Sequence, residues 1–123
     1  MGDCDVCLGD FDGDTADVWL PKIVKARKPH KCFECDREVP VGQEYERIKM
    51  LQEGGWDVYD VCLLCREIHI RFACGNGRCV GNLWEDMREV VFPELTMSSK
   101  CFAGLSAMAK AEVINRWQQW KGL

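Results

Sequence analysis

The chain has 123 residues, nine of them cysteines, and a net charge of −4 from 16 basic and 20 acidic residues. No stretch approaches the ~18 apolar residues of a membrane span, and the start, MGDCDVCLGD, lacks the basic and apolar segments of a secretory signal. These features predict one soluble, cytoplasmic domain over residues 1–123, without a membrane partner.

The cysteine content favours metal binding over disulfide bonding. Disulfides are rare in a reducing compartment, and an odd number of cysteines cannot all pair within one chain. A chain of this size also gains from a metal cross-link, because its apolar interior is small. We therefore expect most of the cysteines to be metal ligands.

The N-terminal segment is acidic, with six aspartates and no lysine or arginine in residues 1–20. DFDGDTAD (10–17) resembles a calcium loop, but an EF-hand requires Gly and Glu where this chain has Thr15 and Pro21. The segment predicts a solvated loop or, alternatively, a surface that binds a partner. The aspartates of that surface are Asp10, Asp12, Asp14 and Asp17.

A basic segment, KIVKARKPHK (22–31), follows the acidic one. An exposed connecting segment is the simplest interpretation, although its cations could contact phosphates. The chain as a whole is acidic, unlike a typical nucleic-acid-binding protein, so nucleic-acid binding is an alternative function. The cations are Lys22, Lys25, Arg27, Lys28 and Lys31.

Two matched cysteine pairs lie in residues 30–73. Cys32 and Cys35 form one C-x2-C, and Cys62 and Cys65 form another, with 26 residues between the two pairs. Two such turns complete a tetrahedron around Zn²⁺. A thioredoxin-like redox pair would instead require a βαβ unit, and the sequence shows no parallel-sheet pattern. We therefore predict a four-cysteine zinc site.

Between and after these pairs the sequence indicates a hairpin and a helix. Residues 44–50 and 56–61 have strand composition, and LQEGG between them supplies a turn. Helical spacing then follows Cys62, and a helix start favours thiolates. The order of knuckle, hairpin and helix is that of a treble clef or zinc ribbon. The apolar residues at helical spacing are Leu64, Ile68 and Phe72.

Four further cysteines suggest a second zinc site. Cys4 and Cys7 form a third C-x2-C, and Cys74 and Cys79 bracket the glycine-rich turn CGNGRC. Cys101 could replace Cys74 or Cys79, but our leading prediction leaves it as a free, buried thiol.

For the two histidines, the simplest interpretation is a solvent-exposed His30 and a packed or hydrogen-bonded His69, although either could be a substitute ligand. His69 could also donate a hydrogen bond to a thiolate of the first site.

Residues 74–123 predict a helical extension. Asn82 and Glu85 form a capping box for LWEDMREVVF, which Pro93 closes. Its apolar face is formed by Leu83, Trp84, Met87, Val90 and Val91. The last helix is predicted to be capped by Ser106 and to end at about Lys121, with Gly122 just past its end.

The stretch KARKPHKCFECDREVPVGQEYERI, followed by Trp56 and CLLC, resembles a group of short zinc-binding proteins encoded by phages and prophages. The resemblance covers roughly residues 4–92, including CDVC and LWED. It implies that the four cysteines of the two matched pairs bind zinc, together with Cys4 and Cys7. By analogy of origin, small phage proteins often bind and block host proteins, including effectors of anti-phage immunity.

These observations together predict an α+β, zinc-stabilised, non-enzymatic interaction protein. We expect it to occlude a host protein such as a CRISPR effector. The alternatives are a nucleic-acid-binding regulator and a thiol redox switch that uses Cys4, Cys7 or Cys101. An enzyme is not expected, because four thiolates leave no open position on the metal.

Overall fold

A computed structural model describes residues 6–8, 18–74 and 80–122 of the chain. This part is α+β, as predicted, with antiparallel strands followed by helices. It divides into two compact units, one formed by Asp12–Arg66 and one by Met1–Phe11 with Glu67–Leu123. The single domain over residues 1–123, with a core at 30–73 and an extension at 74–123, stays a prediction.

The Asp12–Arg66 unit is built on a three-stranded antiparallel sheet. Its strands are β1 (Val18–Lys25), β4 (Glu44–Gln52) and β5 (Gly55–Cys62), with β4 in the centre. A two-stranded ladder of β2 (His30–Lys31) and β3 (Glu38–Val39) accompanies it.

The predicted hairpin is confirmed as β4 and β5. Its turn holds Glu53 and Gly54, both at positive φ (52° and 81°), which a two-residue hairpin turn that follows the strand twist requires. Burial alternates along β4, where Ile48 and Met50 are buried and Lys49 between them is exposed. One face of the sheet therefore belongs to the core of this unit, and the other is open.

Strand β1 was not predicted, since residues 18–29 were interpreted as a loop and a connecting segment. Pro21 lies inside the strand, and a proline argues against a central strand because it cannot donate a hydrogen bond to the ladder. Pro21 is nevertheless compatible with this strand, because β1 is an edge strand of the sheet. The basic segment is therefore partly strand, with Lys22 and Lys25 in β1 and Lys31 in β2.

Helix α1 (Leu63–Ala73) follows β5 directly and spans the boundary between the units. Ile68 and Phe72 are fully buried, which confirms the predicted apolar face. The other helices are short or terminal. They are α2 (Leu83–Asp86), α3 (Lys100–Ala103) and α4 (Ala107–Lys121).

The predicted helix at LWEDMREVVF is more irregular than expected. Helix α2 continues as a π turn (Met87–Val91) and a 3₁₀ turn (Phe92–Glu94), and the side chain of Asn82 makes no capping hydrogen bond. A π turn holds more residues than an α turn. The register therefore shifts so that Val91 is buried while Val90, predicted on the same face, is 42% exposed.

The start and end of α4 match the prediction. The Ser106 hydroxyl accepts a hydrogen bond from the Ala109 N–H at 3.3 Å, and Gly122 follows the last helical residue. None of the described helices is long and apolar enough to cross a bilayer.

Candidate metal centre

Cys32 and Cys35 lie on a tight turn between β2 and β3. The Cys32 N–H donates to the Arg37 carbonyl at 2.9 Å, and the Asp36 N–H donates to the Cys32 carbonyl at 2.8 Å. Asp36 has a φ of 60°, a left-handed conformation that aspartate tolerates better than most residues. The turn folds the chain back on itself, and the Glu34 N–H donates to the Cys32 sulfur at 3.3 Å.

Cys62 and Cys65 lie where β5 passes into α1. Cys62 is the last residue of the strand, and Cys65 lies in the first turn of the helix. The Cys65 N–H donates to the Cys62 sulfur at 3.4 Å. The N–H groups and the dipole of a helix start favour negative charge, but the neighbouring Cys32 outweighs this effect at both thiols and raises their pKa values.

The four sulfurs of these two pairs all lie within 4.8 Å of one another. The Cys35 and Cys62 sulfurs are 3.9 Å apart. Four thiolates at ~2.3 Å from a tetrahedral Zn²⁺ would be separated by roughly 3.8 Å, so the spacing fits. Cys32 is fully buried and Cys65 nearly so. This cluster could therefore hold a metal such as zinc.

The thiols of this cluster influence one another's ionisation. Hydrogen bonds from Cys35, Cys62 and Cys65 hold the pKa of Cys32 well below its ordinary value. Cys32 opposes ionisation of Cys35, yet hydrogen bonds from Cys62 and Cys65 lower the pKa of Cys35 to about 7.

The other two thiols respond in the opposite direction. The neighbouring Cys32 raises the pKa of both Cys62 and Cys65 above the ordinary range. Two thiols therefore ionise readily and two resist. A cation at the centre would remove that resistance, because it attracts all four charges.

Two contacts link the parts of the centre to the sheet. The Phe33 N–H donates to the Asp60 carbonyl at 2.7 Å, which joins the knuckle to β5. Arg66, next to Cys65 in α1, forms an ion pair with the buried Glu46 of β4, with Nε 3.3 Å from Oε2. Both contacts restrict where the sulfurs can lie.

Neither histidine belongs to the sulfur clusters. His30 Nδ1 lies 3.0 Å from Asp60 Oδ2, and its Nε2 lies 3.3 Å from the Tyr45 hydroxyl. The rings of His30 and Tyr45 also stack, with centroids 4.7 Å apart. His69 is buried. The idea that a histidine substitutes for a cysteine ligand gains no support here.

A second cluster brings together Cys7, Cys74 and Cys101, whose sulfurs lie within 4.8 Å of one another. Cys7 and Cys74 form a disulfide, although the sequence favoured metal ligation for both. The Cys101 sulfur lies 3.6 Å from that of Cys74. The other two predicted ligands, Cys4 and Cys79, lie outside the described residues.

The prediction that Cys101 is a free, buried thiol is wrong, because Cys101 is buried but disulfide-bonded. Helix α3 also places it beside Cys74. Arg71 of α1 fixes the start of α3 by donating to the Lys100 carbonyl at 2.7 Å and to the Cys101 carbonyl at 3.1 Å. Nothing in the spacing of the sequence marks this contact, because it depends on packing between helices.

The aspartates of the predicted partner-binding surface, Asp10, Asp12, Asp14 and Asp17, lie outside the described residues.

Sequence reasoning missed two cations of β4, Arg47 and Lys49, which lie on the open face of the sheet. The signal was present in the alternation of EYERIKM, where every second residue is directed to the same face.

Comparison of the chain with known protein families, with curated proteins and with solved structures found no match. The function is therefore inferred from the geometry of the two cysteine clusters and of the surrounding surface.

Proposed function

We propose that this chain is a zinc-stabilised binding protein in which the metal is structural and no catalysis takes place. The observation that carries the proposal is the closed set of four cysteine sulfurs in the Asp12–Arg66 unit. Four thiolates fill the tetrahedral shell of zinc and leave no position for a substrate or a water molecule. The order of knuckle, hairpin and helix start supports a treble-clef type of zinc module.

Zinc would supply much of the cohesion of this unit. It spans only Asp12–Arg66, and domains of so few residues bury too little apolar surface to be more than marginally stable. Zinc binding to structural sites contributes an apparent ~10–16 kcal/mol near neutral pH. We therefore expect folding of the unit to require the metal.

The test is metal analysis of protein prepared without chelators. It compares the wild-type chain with variants of two first-site cysteines and with a control variant. Wild-type protein should retain zinc at the four-cysteine site, whereas Cys32→Ser and Cys62→Ser should lose it along with native circular dichroism. Phe33→Ser is the matched control, because Phe33 lies between the ligands with a 51% exposed side chain. A natively folded Cys32→Ser protein without zinc would contradict the proposal.

The proposed partner of a phage-encoded chain is a host macromolecule. The version in which the acidic segment occludes a host protein, such as a CRISPR effector, depends on Asp10, Asp12, Asp14 and Asp17. Reversing these four charges and measuring capture of a host protein would test it, since unchanged capture would contradict that version.

The second cysteine cluster favours a redox function as a second candidate. Reduction of the Cys7–Cys74 disulfide takes up two electrons and two protons from a dithiol and yields two thiols. Cys101 is also disulfide-bonded, so its disulfide must be reduced in the same way. The sulfurs of Cys7, Cys74 and Cys101 lie within 4.8 Å of one another, and the three thiolates would then be enough to hold a metal with one further ligand.

The redox candidate predicts a change in zinc content. Zinc per chain should rise from about one in the oxidised protein to about two after mild reduction, and Cys101→Ser should abolish the increase. A zinc content that is independent of the redox state would contradict the candidate without affecting the first site.

A further inference from the structure

The open face of the three-stranded sheet carries both apolar and cationic side chains. In the sheet register Lys49 of β4 lies between Leu20 of β1 and Val58 of β5. Leu20 and Val58 are 51% and 44% exposed. Exposed apolar side chains that are grouped on one face, rather than scattered singly, commonly mark a binding surface.

The charges on this face have one sign across β1 and β4. Lys22 lies directly opposite Arg47, and Lys49 is two residues further along β4, on the same face. Like charges directly opposite each other destabilise a sheet. Among the described residues none of these three cations forms an ion pair, so a bound polyanion would relieve their repulsion.

The acidic residues of the same strands are directed elsewhere. Alternation places Glu44, Glu46 and Asp57 on the opposite face. Asp60 shares the open face with Arg47, its partner in the register, but lies 3.0 Å from His30. Apart from Asp60 on this face and Lys25, which pairs with Glu44 on the other, the charges separate by sign between the two faces. This distinguishes the surface from an ordinary solvated one, in a chain whose net charge is negative.

Trp56 adds a stacking surface at one end of the same face. Its ring is 51% exposed, and the Lys49 ammonium lies 5.1 Å from the ring centroid. Base–aromatic stacking is a main source of affinity for single-stranded nucleic acids, and it works with any base.

Two adjoining grooves extend the surface away from Trp56. Val24 and Arg47 line both, so the grooves are continuous, with volumes of about 500 Å³ and 810 Å³. The second groove adds three cations of the basic segment. These are Lys25, Arg27 and Lys28.

We propose that this face, which we call the cationic face (Lys22, Arg47, Lys49 and Trp56), binds single-stranded nucleic acid. Trp56 stacks on an unpaired base, and the three cations contact phosphates. A duplex hides the faces of its bases, and an acidic peptide need not offer a planar ring to Trp56. The proposal rests on the proposed function, because the zinc site holds the unit that presents the face.

The experiment is fluorescence anisotropy of labelled oligothymidylate and oligouridylate, about 15 nucleotides long, with the full zinc-loaded chain. Single strands should bind, and more tightly than a duplex of the same length. Each phosphate contact contributes a salt slope of about −0.7, so three contacts predict roughly 20-fold weaker binding at about 200 mM than at about 50 mM salt. The ratio between the two oligomers shows whether DNA or RNA is preferred.

Variants separate stacking from charge. Trp56→Ala should weaken binding at least about fivefold, whereas Trp56→Phe, which keeps an aromatic face, should retain most of it. Arg47→Glu should weaken binding and reduce the salt slope. Arg88→Glu is the matched control, because Arg88 is exposed, lies outside the sheet and undergoes the same change of charge.

Three outcomes would overturn the proposal. One is the absence of binding by protein shown to contain zinc and to be folded. Another is an equal loss with Arg47→Glu and Arg88→Glu. The third is equal binding of polyglutamate, which would assign the face to an acidic protein segment. Protein that lacks zinc would instead contradict the proposed function, so the two failures are distinguishable by metal analysis of the same sample.

Discussion

Asp36 shows how a single backbone conformation positions the metal ligands. Its φ of 60° closes the turn that brings the N–H of Glu34 to the Cys32 sulfur. The left-handed conformation costs an L-residue about 1–2 kcal/mol, and aspartate and asparagine lose least after glycine. The knuckle therefore depends on a residue that carries no ligand atom.

The effect of a substitution at Asp36 on stability should therefore depend on how readily the new residue adopts a positive φ. Asp36→Val should lower the free energy of unfolding of the zinc-loaded protein by about 1–2 kcal/mol, because a β-branched residue is strained at positive φ. Asp36→Gly should leave it unchanged or raise it by up to about 1 kcal/mol. Urea denaturation followed by circular dichroism measures both. Equal stabilities of the Val and Gly variants would show that the turn is not constrained in this way.

At the scale of elements, the N-terminus of α4 combines a cap with a carboxylate from α1. The Ser106 hydroxyl accepts from the Ala109 N–H and donates to Glu67 Oε1 at 2.8 Å, while the Ser106 N–H donates to Glu67 Oε2 at 2.6 Å. A negative charge near a helix start is favourable. One serine thus fixes both the start of α4 and its contact with α1.

We expect Ser106→Ala to lower the free energy of unfolding by about 1–2 kcal/mol, because a cap and a hydrogen bond to a carboxylate are lost together. Thermal denaturation would measure the change. Ser98→Ala is the control, since Ser98 is exposed and lies outside the helices, and it should change stability by less than about 0.5 kcal/mol. Similar losses in both variants would argue against the cap.

The sequence predicted those elements whose signals are local. Strands β4 and β5 have strand composition and flank a glycine turn, α1 shows apolar residues at every fourth position, and Ser106 precedes a long helical stretch. Strand β1 escaped prediction because Pro21 is compatible only with an edge, and the order of strands in a sheet is a tertiary property.

The same distinction applies to the candidate sites. The four ligands of the first cluster follow from two C-x2-C motifs, because each motif fixes its own turn. The position of Cys101 does not follow from a local motif. Cys101 is 27 residues from Cys74 in the sequence, and the packing of α3 brings the two together. The cationic face was likewise hidden, because its cations come from two strands that are far apart in the sequence.

At the scale of the whole molecule, each compact unit contains its own cysteine cluster. The four-cysteine cluster lies in the Asp12–Arg66 unit, and the cluster of Cys7, Cys74 and Cys101 lies in the other. A cross-link within each unit, a metal bound by the first cluster and a disulfide in the second, would compensate for a small apolar interior. The two clusters should respond to different agents, because only the second contains a disulfide among the described residues.

Acidification provides a test of the first cluster that does not depend on redox state. Hydrogen bonds from Cys35 and the other thiols hold the pKa of Cys32 below its ordinary value. A bound cation would also lower the pKa values of Cys62 and Cys65, which Cys32 raises in the metal-free cluster. A lowered folded-state pKa contributes stability above the unfolded pKa, ~8.5 for a thiol, and that stability is lost as the pH falls through the folded value.

Zinc-loaded protein should therefore be most stable at neutral and slightly alkaline pH, and should release zinc and unfold together on acidification. A chromogenic zinc indicator and circular dichroism, recorded along one titration, measure the two events. Cys32→Ser protein, which should lack both the metal and the native circular dichroism signal, should change little over the range in which wild-type protein loses zinc. Retention of zinc and structure down to about pH 4, where carboxylates titrate, would contradict thiolate coordination.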